Sequence, residues 1–277
     1  MISTYIYEFS KDNKPADRIT APASYTFKTL SCYGDLTPDV CDPDKINPAT
    51  GPLFVEGAMP GDTLKVTVKA IHLAPKGVVK VSGFMKHEVE GLHWHGLAIE
   101  DDSVVLAGRR LPLKKMIGVI GVAPAGQSVP TVTPGKHGAN MDAKIIGEGA
   151  SVYLPVQVEG ALLAMGDVHA LMGDGETGGT GIEIGASIDV DIEVIKGQLC
   201  QWPMVETDDF ISIITSAETL DEASEICVKE MASYLTKVLE LPLPEATMLL
   251  GLAGDLKVCQ IVNPLKTARF EFPKKYL

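Results

Sequence analysis

From Gly166 to Glu176 the chain reads Gly-Asp-Val-His-Ala-Leu-Met-Gly-Asp-Gly-Glu, which gathers three acids and a histidine into one short, glycine-rich run. Asp167 and His169 are two residues apart, so on an extended segment they point to the same side. Asp174 and Glu176 repeat that spacing across Gly175. Groups so placed repel one another unless a cation or a shared proton intervenes. Mixed histidine and carboxylate ligation suits zinc or a similar divalent ion, whereas an all-oxygen set suits calcium or magnesium. The plainer alternative is an acidic surface loop holding calcium or no ion, and spacing alone leaves both open.

Upstream, His137-Gly138-Ala139-Asn140-Met141-Asp142 forms a second polar cluster after the turn-like Thr133-Pro134-Gly135. Asn140 can donate an amide N–H to a carbonyl oxygen while Asp142 ligates a metal, and the same residues also suit a simple loop cap. His93 and His95 share a face if extended, but no acid stands nearby to complete a site. A GxSxG elbow and a phosphate-cradling P-loop are both absent from the sequence.

The elements that must hold these groups read mainly as β-structure. Leu64 to Ala70 alternates apolar and polar residues after Pro60-Gly61-Asp62, the pattern of a half-buried strand behind a turn. Strands are also expected over Val152–Val158 and Ala161–Met165. From Ile182 to Val194 every second residue is apolar, with Glu183, Asp189, Asp191 and Glu193 between them. A period of two puts the acids on one face of a long antiparallel strand, or of two strands bent near Gly185. Glu183 differs from the other acids by opening this strand soon after Glu176.

Beyond Cys200 the character changes. Thr215 and Thr219 each precede a glutamate by three residues, so either can open a helix with a capping box. Leu220, Ala223, Cys227, Met231, Leu235 and Val238 follow helical spacing, and Pro242 and Pro244 end it. A shorter helix over Glu245–Leu250 and a strand over Leu256–Val262 follow. The expected architecture is a mainly β fold, with a β-sandwich over residues 1–200 carrying the site and an α+β portion over 201–277 packed on it.

A net charge of −12 argues against nucleic acid as a partner, since phosphate binding needs clustered Lys and Arg. No apolar run reaches the roughly 18–20 residues that cross a bilayer, and no signal peptide is apparent, so a cytoplasmic protein with no membrane association is expected. Five cysteines without a CxxC pair indicate free thiols rather than disulfides or a cysteine zinc site.

Several of these stretches fall in a known order. Asn47-Pro48-Ala49-Thr50-Gly51-Pro52, Val55-Glu56-Gly57-Ala58, Pro60 to Leu64, Gly118 to Pro124, Asn140-Met141-Asp142, Leu154-Pro155-Val156, Gly166-Asp167 with His169, Gly173 to Glu176, and Ile182-Glu183 together resemble the acetamidase/formamidase family. Ala139 and Leu171-Met172 depart from its usual pattern beside the site. The resemblance implies a β-sandwich with an added α/β portion, a divalent metal, hydrolysis of formamide- or acetamide-like substrates, and a homo-oligomer of at least two copies.

On that basis Asp142, Asp167 and His169 are the leading metal ligands, with Glu183 and Asp174 as further candidates. Zinc is the first expectation for the ion and calcium the second. Glu176 is the expected general base and Asn140 the expected oxyanion donor. A metal-stabilised binding protein without catalysis, or a hydrolase of another C–N bond, are the competing readings.

Overall fold

The computed structural model describes residues 4–34, 36–199 and 201–277. Strands dominate, and they form two large sheets with two short ribbons beside them. One large sheet has eight strands, in the order Asp255–Gln260, Lys266–Pro273, Phe210–Ala217, Met204–Glu206, Ser151–Pro155, Thr63–Leu73, Ala186–Ile195 and Ala23–Thr29. The other is built around Leu163–His169, which pairs with Ala49–Glu56, Met116–Gly121 and Glu183–Ile184. Gly138–Asn140 extends it from Met116–Gly121, and Lys76–Lys80 extends it from Glu183–Ile184. Side chains from both sheets meet in one apolar core, among them Phe27, Val66, Ile188 and Ile192 from the first and Leu53, Ile117, Ile120 and Val168 from the second.

The alternation from Ile182 to Val194 is realised as two strands. Glu183–Ile184 belongs to the site-bearing sheet, and Ala186–Ile195 to the eight-stranded one. The bend falls at Gly185, whose carbonyl accepts from the Ala74 amide. In Ala186–Ile195 the polar residues face outward, while Ile188, Val190 and Ile192 face the core, as a period of two requires.

Two expected strands are displaced. Ala161 and Leu162 adopt left-handed φ values of 58° each, so the strand begins at Leu163 and runs to His169. The Val152 strand ends at Pro155, which supplies no amide to continue a ladder. Thr219, not Thr215, opens the long helix: its hydroxyl accepts from the Glu222 amide. Thr215 lies buried in the Phe210–Ala217 strand and donates to the Ala223 carbonyl instead.

The helices α1 (Leu220–Val238) and α2 (Leu243–Ala253) cover the end of the eight-stranded sheet. Cys227, Met231, Leu235, Ala246 and Leu250 pack there against Ile213, Phe270 and Phe272. The strands of this C-terminal portion continue the same sheet, because Met204–Glu206 pairs with Ser151–Pro155. No helix among the described residues is long and apolar enough to cross a membrane.

Candidate active site

Neighbouring strands of the site-bearing sheet deliver the polar side chains. Asp167 and His169 end one strand, and Glu183 stands directly opposite His169 in register. Asp142 follows the Gly138–Asn140 strand, with its amide and that of Met141 directed at the Gly118 carbonyl. Glu176 ends a tight turn whose Gly175 is tied to Cys259 and Ile261 through main-chain hydrogen bonds.

Two glycines make room for this convergence. A Cβ on Gly118 would lie 2.8 Å from the Asp167 carbonyl oxygen and 2.9 Å from its Oδ2. One on Gly181 would lie 2.6 Å from the His169 ring. Asn47, Asp142, Asp167 and Glu176 all sit at positive φ, between 43° and 53°. That conformation is uncommon outside glycine, and such residues collect at functional sites where the surroundings hold them.

His169 Nε2 lies 3.1 Å from Glu183 Oε1, 3.7 Å from Asp167 Oδ1 and 4.0 Å from Asp142 Oδ1. Ligand atoms of His169, Asp142 and Asp167 fall within 4.8 Å of one another, as do those of His169, Glu176 and Glu183. All five residues are buried, and Asp142 Oδ1, Asp167 Oδ1, His169 Nε2, Glu176 Oε2 and Glu183 Oε2 have no aligned hydrogen-bond partner among the described residues. Unsatisfied polar atoms are costly when buried singly. A divalent cation is one partner that would satisfy such neighbouring histidine and carboxylate atoms.

The electrostatics agree. Burial, reinforced by the charge of Asp167, raises the carboxyls of Asp142 and Glu183 above the ordinary carboxylate range. Burial and Asp142 raise Glu176 further. Burial by itself would depress His169, but Glu183 and Asp167 outweigh it and hold the imidazole well above its usual value. Without an ion, the cluster therefore retains protons.

Further residues close the site from distant parts of the chain. Asn47 donates to Asp167 Oδ2 at 2.9 Å, and Asn263 donates to Asp142 Oδ2 at 2.6 Å and to the Asn140 carbonyl at 3.1 Å. The Cys32 sulfur falls within 4.8 Å of ligand atoms of Asp167 and Glu183. Cys32 and both asparagines line, with Asn140, Asp167, Glu176 and Glu183, a cavity of about 500 Å³ open to solvent. Asn140 is buried, and its Oδ1 has no hydrogen-bond partner among the described residues. Asn47 is the only one of the three added residues within a stretch that the sequence singles out.

Asp174 does not join this cluster. Arg269, 1% exposed, grips both its oxygens at 2.7 and 2.8 Å, and Lys144 approaches at 2.8 Å. Its charge is already compensated, so it lacks the free oxygen that its neighbours offer. Through Gly175 it anchors the turn carrying Glu176. His95 is exposed and His93 Nε2 faces the Glu90 carbonyl; neither belongs to a ligand cluster among the described residues. Cys32, Cys227 and Cys259 are buried free thiols and Cys41 is half-buried, while Cys200 lies outside the described residues.

The whole chain superposes on a known acetamidase structure from Bacillus halodurans with a TM-score of 0.96, at 42% identity, covering 99% of this chain and 97% of the other. The chain belongs to the acetamidase/formamidase family. A predicted acetamidase/formamidase from Thermoanaerobacter tengcongensis matches equally well, with a TM-score of 0.96, 44% identity and coverage of 99% and 94%.

The model of the Acetamidase/Formamidase family matches residues 125–216, which hold Asn140, Asp142, Asp167, His169, Glu176 and Glu183. Cys32, Asn47 and Asn263 lie outside that segment. Sequence similarity to the acetamidase of Mycolicibacterium smegmatis, at 43% identity over 74 residues, spans 26% of this chain and 18% of that relative's length. The family membership therefore rests on the full-length structural matches, and the shorter segment marks where the curated relatives are most alike.

Proposed function

We propose that the protein hydrolyses small linear amides of the formamide and acetamide type to a carboxylate and ammonia. The observation that carries this reading is the buried cluster of Asp142, Asp167, His169, Glu176 and Glu183, of which Asp167, Glu176 and Glu183 line an open cavity. Asp142, Asp167, His169 and Glu183 would hold a divalent ion, with zinc favoured by the imidazole among the donors and calcium the second choice. Such an ion supplies Lewis acidity toward an amide carbonyl and toward water.

The chain's own residues do the rest. Asn47 and Asn263 occupy the outer oxygens of Asp167 and Asp142, so the inner oxygens stay turned toward His169. Glu176 stands at the cavity, placed to take a proton from water and return it to the departing nitrogen. Asn140 supplies a side-chain amide to the substrate oxygen.

Free thiols suit a reducing cytoplasm, and Met248, Leu252 and Leu256 leave apolar surface open for a second copy in a homo-oligomer. Ammonia release from formamide and acetamide, before and after chelation, with metal content measured on the same sample, tests the central reading. Activity lost with the ion and restored by it is expected. No ammonia from folded, metal-loaded protein would replace this reading with another C–N bond or a non-catalytic role.

A further inference from the structure

The cavity is much larger than formamide or acetamide requires. Its volume of about 500 Å³ falls in the range of about 300–1,000 Å³ that accommodates drug-sized ligands. Its walls above the polar floor include Pro38, Pro43, Ile46, Val132 and Pro264, and one cation, Lys80, is placed among them.

The sheet register sets Lys80 relative to the site. Val78 stands opposite Glu183, so both side chains rise from the same face. Lys80, two residues on, rises from that face too, about 7 Å further along the strand. Thr180 fixes its backbone, accepting from the Lys80 amide at 3.0 Å and donating to its carbonyl at 3.1 Å. The ammonium lies 5.9 Å from the centre of the Tyr33 ring, and no described carboxylate forms an ion pair with it. Lys144, by contrast, holds Asp174, and Lys266 donates to the Asn263 carbonyl at 2.7 Å.

We propose that Lys80 is an anion subsite, and that the substrates of this protein are amides carrying a carboxylate at the far end of a short chain. The proposal rests on the amidase reading for its reaction and deepens it to a substrate class, the monoamides of small dicarboxylic acids. The amide end lies over Glu176 and Asn140, the aliphatic middle lies against the apolar walls, and the carboxylate meets Lys80. Hydrolysis then adds water across the amide C–N bond, giving a dicarboxylate and ammonia. The competing role for Lys80 is a counter-charge for the acidic floor, which would affect neutral and charged amides alike.

The test compares butanamide with the monoamide of butanedioic acid, which differ in the terminal carboxylate. A charge-assisted contact in a partly enclosed site predicts a preference of roughly tenfold or more in kcat/KM for the charged amide, expressed in KM. Lys80→Met should bring the ratio to about one, and Lys80→Arg should preserve most of it. A ratio near one in the unmodified protein, or an unchanged ratio in Lys80→Met, overturns the proposal. Calorimetric titration with butanedioate separates this outcome from failure of the amidase reading. Saturable binding that Lys80→Met abolishes upholds the subsite even if no amide is cleaved, and binding that survives the substitution rejects it.

Discussion

Two acidic stretches lie within a dozen residues of each other and behave in opposite ways. Asp189, Asp191 and Glu193 line the outer face of the Ala186–Ile195 strand with side chains 41%, 40% and 49% exposed. Each has partners: Thr26 and His72 for Asp189, Ser24 and Lys69 for Asp191, Lys65 for Glu193. Just across Gly185, the Glu183 side chain is 3% exposed, has an oxygen with no hydrogen bond, and faces other carboxylates. Acidity is common to both stretches. What distinguishes the site is that its charges are removed from water and left without complete compensation, a cost that stability alone does not explain.

The comparison can be broken most sharply at Glu176. Glu176→Gln keeps the shape and removes the proton carrier, so ammonia release should fall by roughly 10²–10⁴-fold while bound metal, measured by elemental analysis, stays level. Retained turnover would assign proton transfer elsewhere. The next largest effect is expected one layer out. Asn47→Ala or Asn263→Ala frees a ligand carboxylate to rotate and should weaken metal affinity or activity by roughly 10–100-fold, as read by competition with a chelator.

Asp174 probes the support of the site. Asp174→Ala leaves the buried Arg269 with Glu271 as its remaining acidic partner and should cost about 3 kcal/mol in denaturant unfolding, with a reduced kcat and intact metal content. A variant that binds metal poorly would place Asp174 among the ligands after all.

The pH dependence of the metal-free protein gives a subtler test. Folding raises Asp142 from 3.8 to about 6 and Glu183 from 4.5 to about 7. The folded state thus binds more protons than the unfolded one, and this stability is full below the unfolded values and lost as pH rises through the folded ones. His169, also raised, acts in the same direction. Metal-free protein should melt progressively lower as pH climbs from about 4 past 7, and the divalent ion should flatten that slope. A slope of the opposite sign would show that the cluster does not hold protons. The smallest effect belongs to the outer strand face, where Asp191→Ala should leave turnover, metal content and melting temperature unchanged.

Much of the frame was legible because it rests on local periodicity. The alternation through Ile182–Val194 marks the strands, and Gly185 marks the bend between sheets. The Thr219 cap and the apolar stripe of α1 follow equally local rules. The site was legible in part, since Asp167, His169 and Glu176 are close in sequence. Asp174 shows where spacing misleads: Gly175 at φ 91° and Glu176 at φ 48° turn the chain, so residues two apart do not share a side. Asn263 and Cys32 carry no local signal, because the register of sheets and loops far away brings them to the site. Four left-handed site residues were equally hidden, although Asn and Asp, three of the four, are the types that tolerate that conformation best.

The hydrogen bond from Asn263 to Asp142 also bears on how the protein is made. Chains fold as they emerge from the ribosome, N-terminal parts first. Asp142, Asp167, His169 and Glu183 are all synthesised well before Asn263, the residue that restrains Asp142. A nascent chain halted before Asn263 would therefore carry most of the acidic cluster without the residue that orients it. On the proposed reading, secure capture of an ion would follow synthesis of the Lys266–Pro273 strand, which joins its sheet and fixes the loop before it.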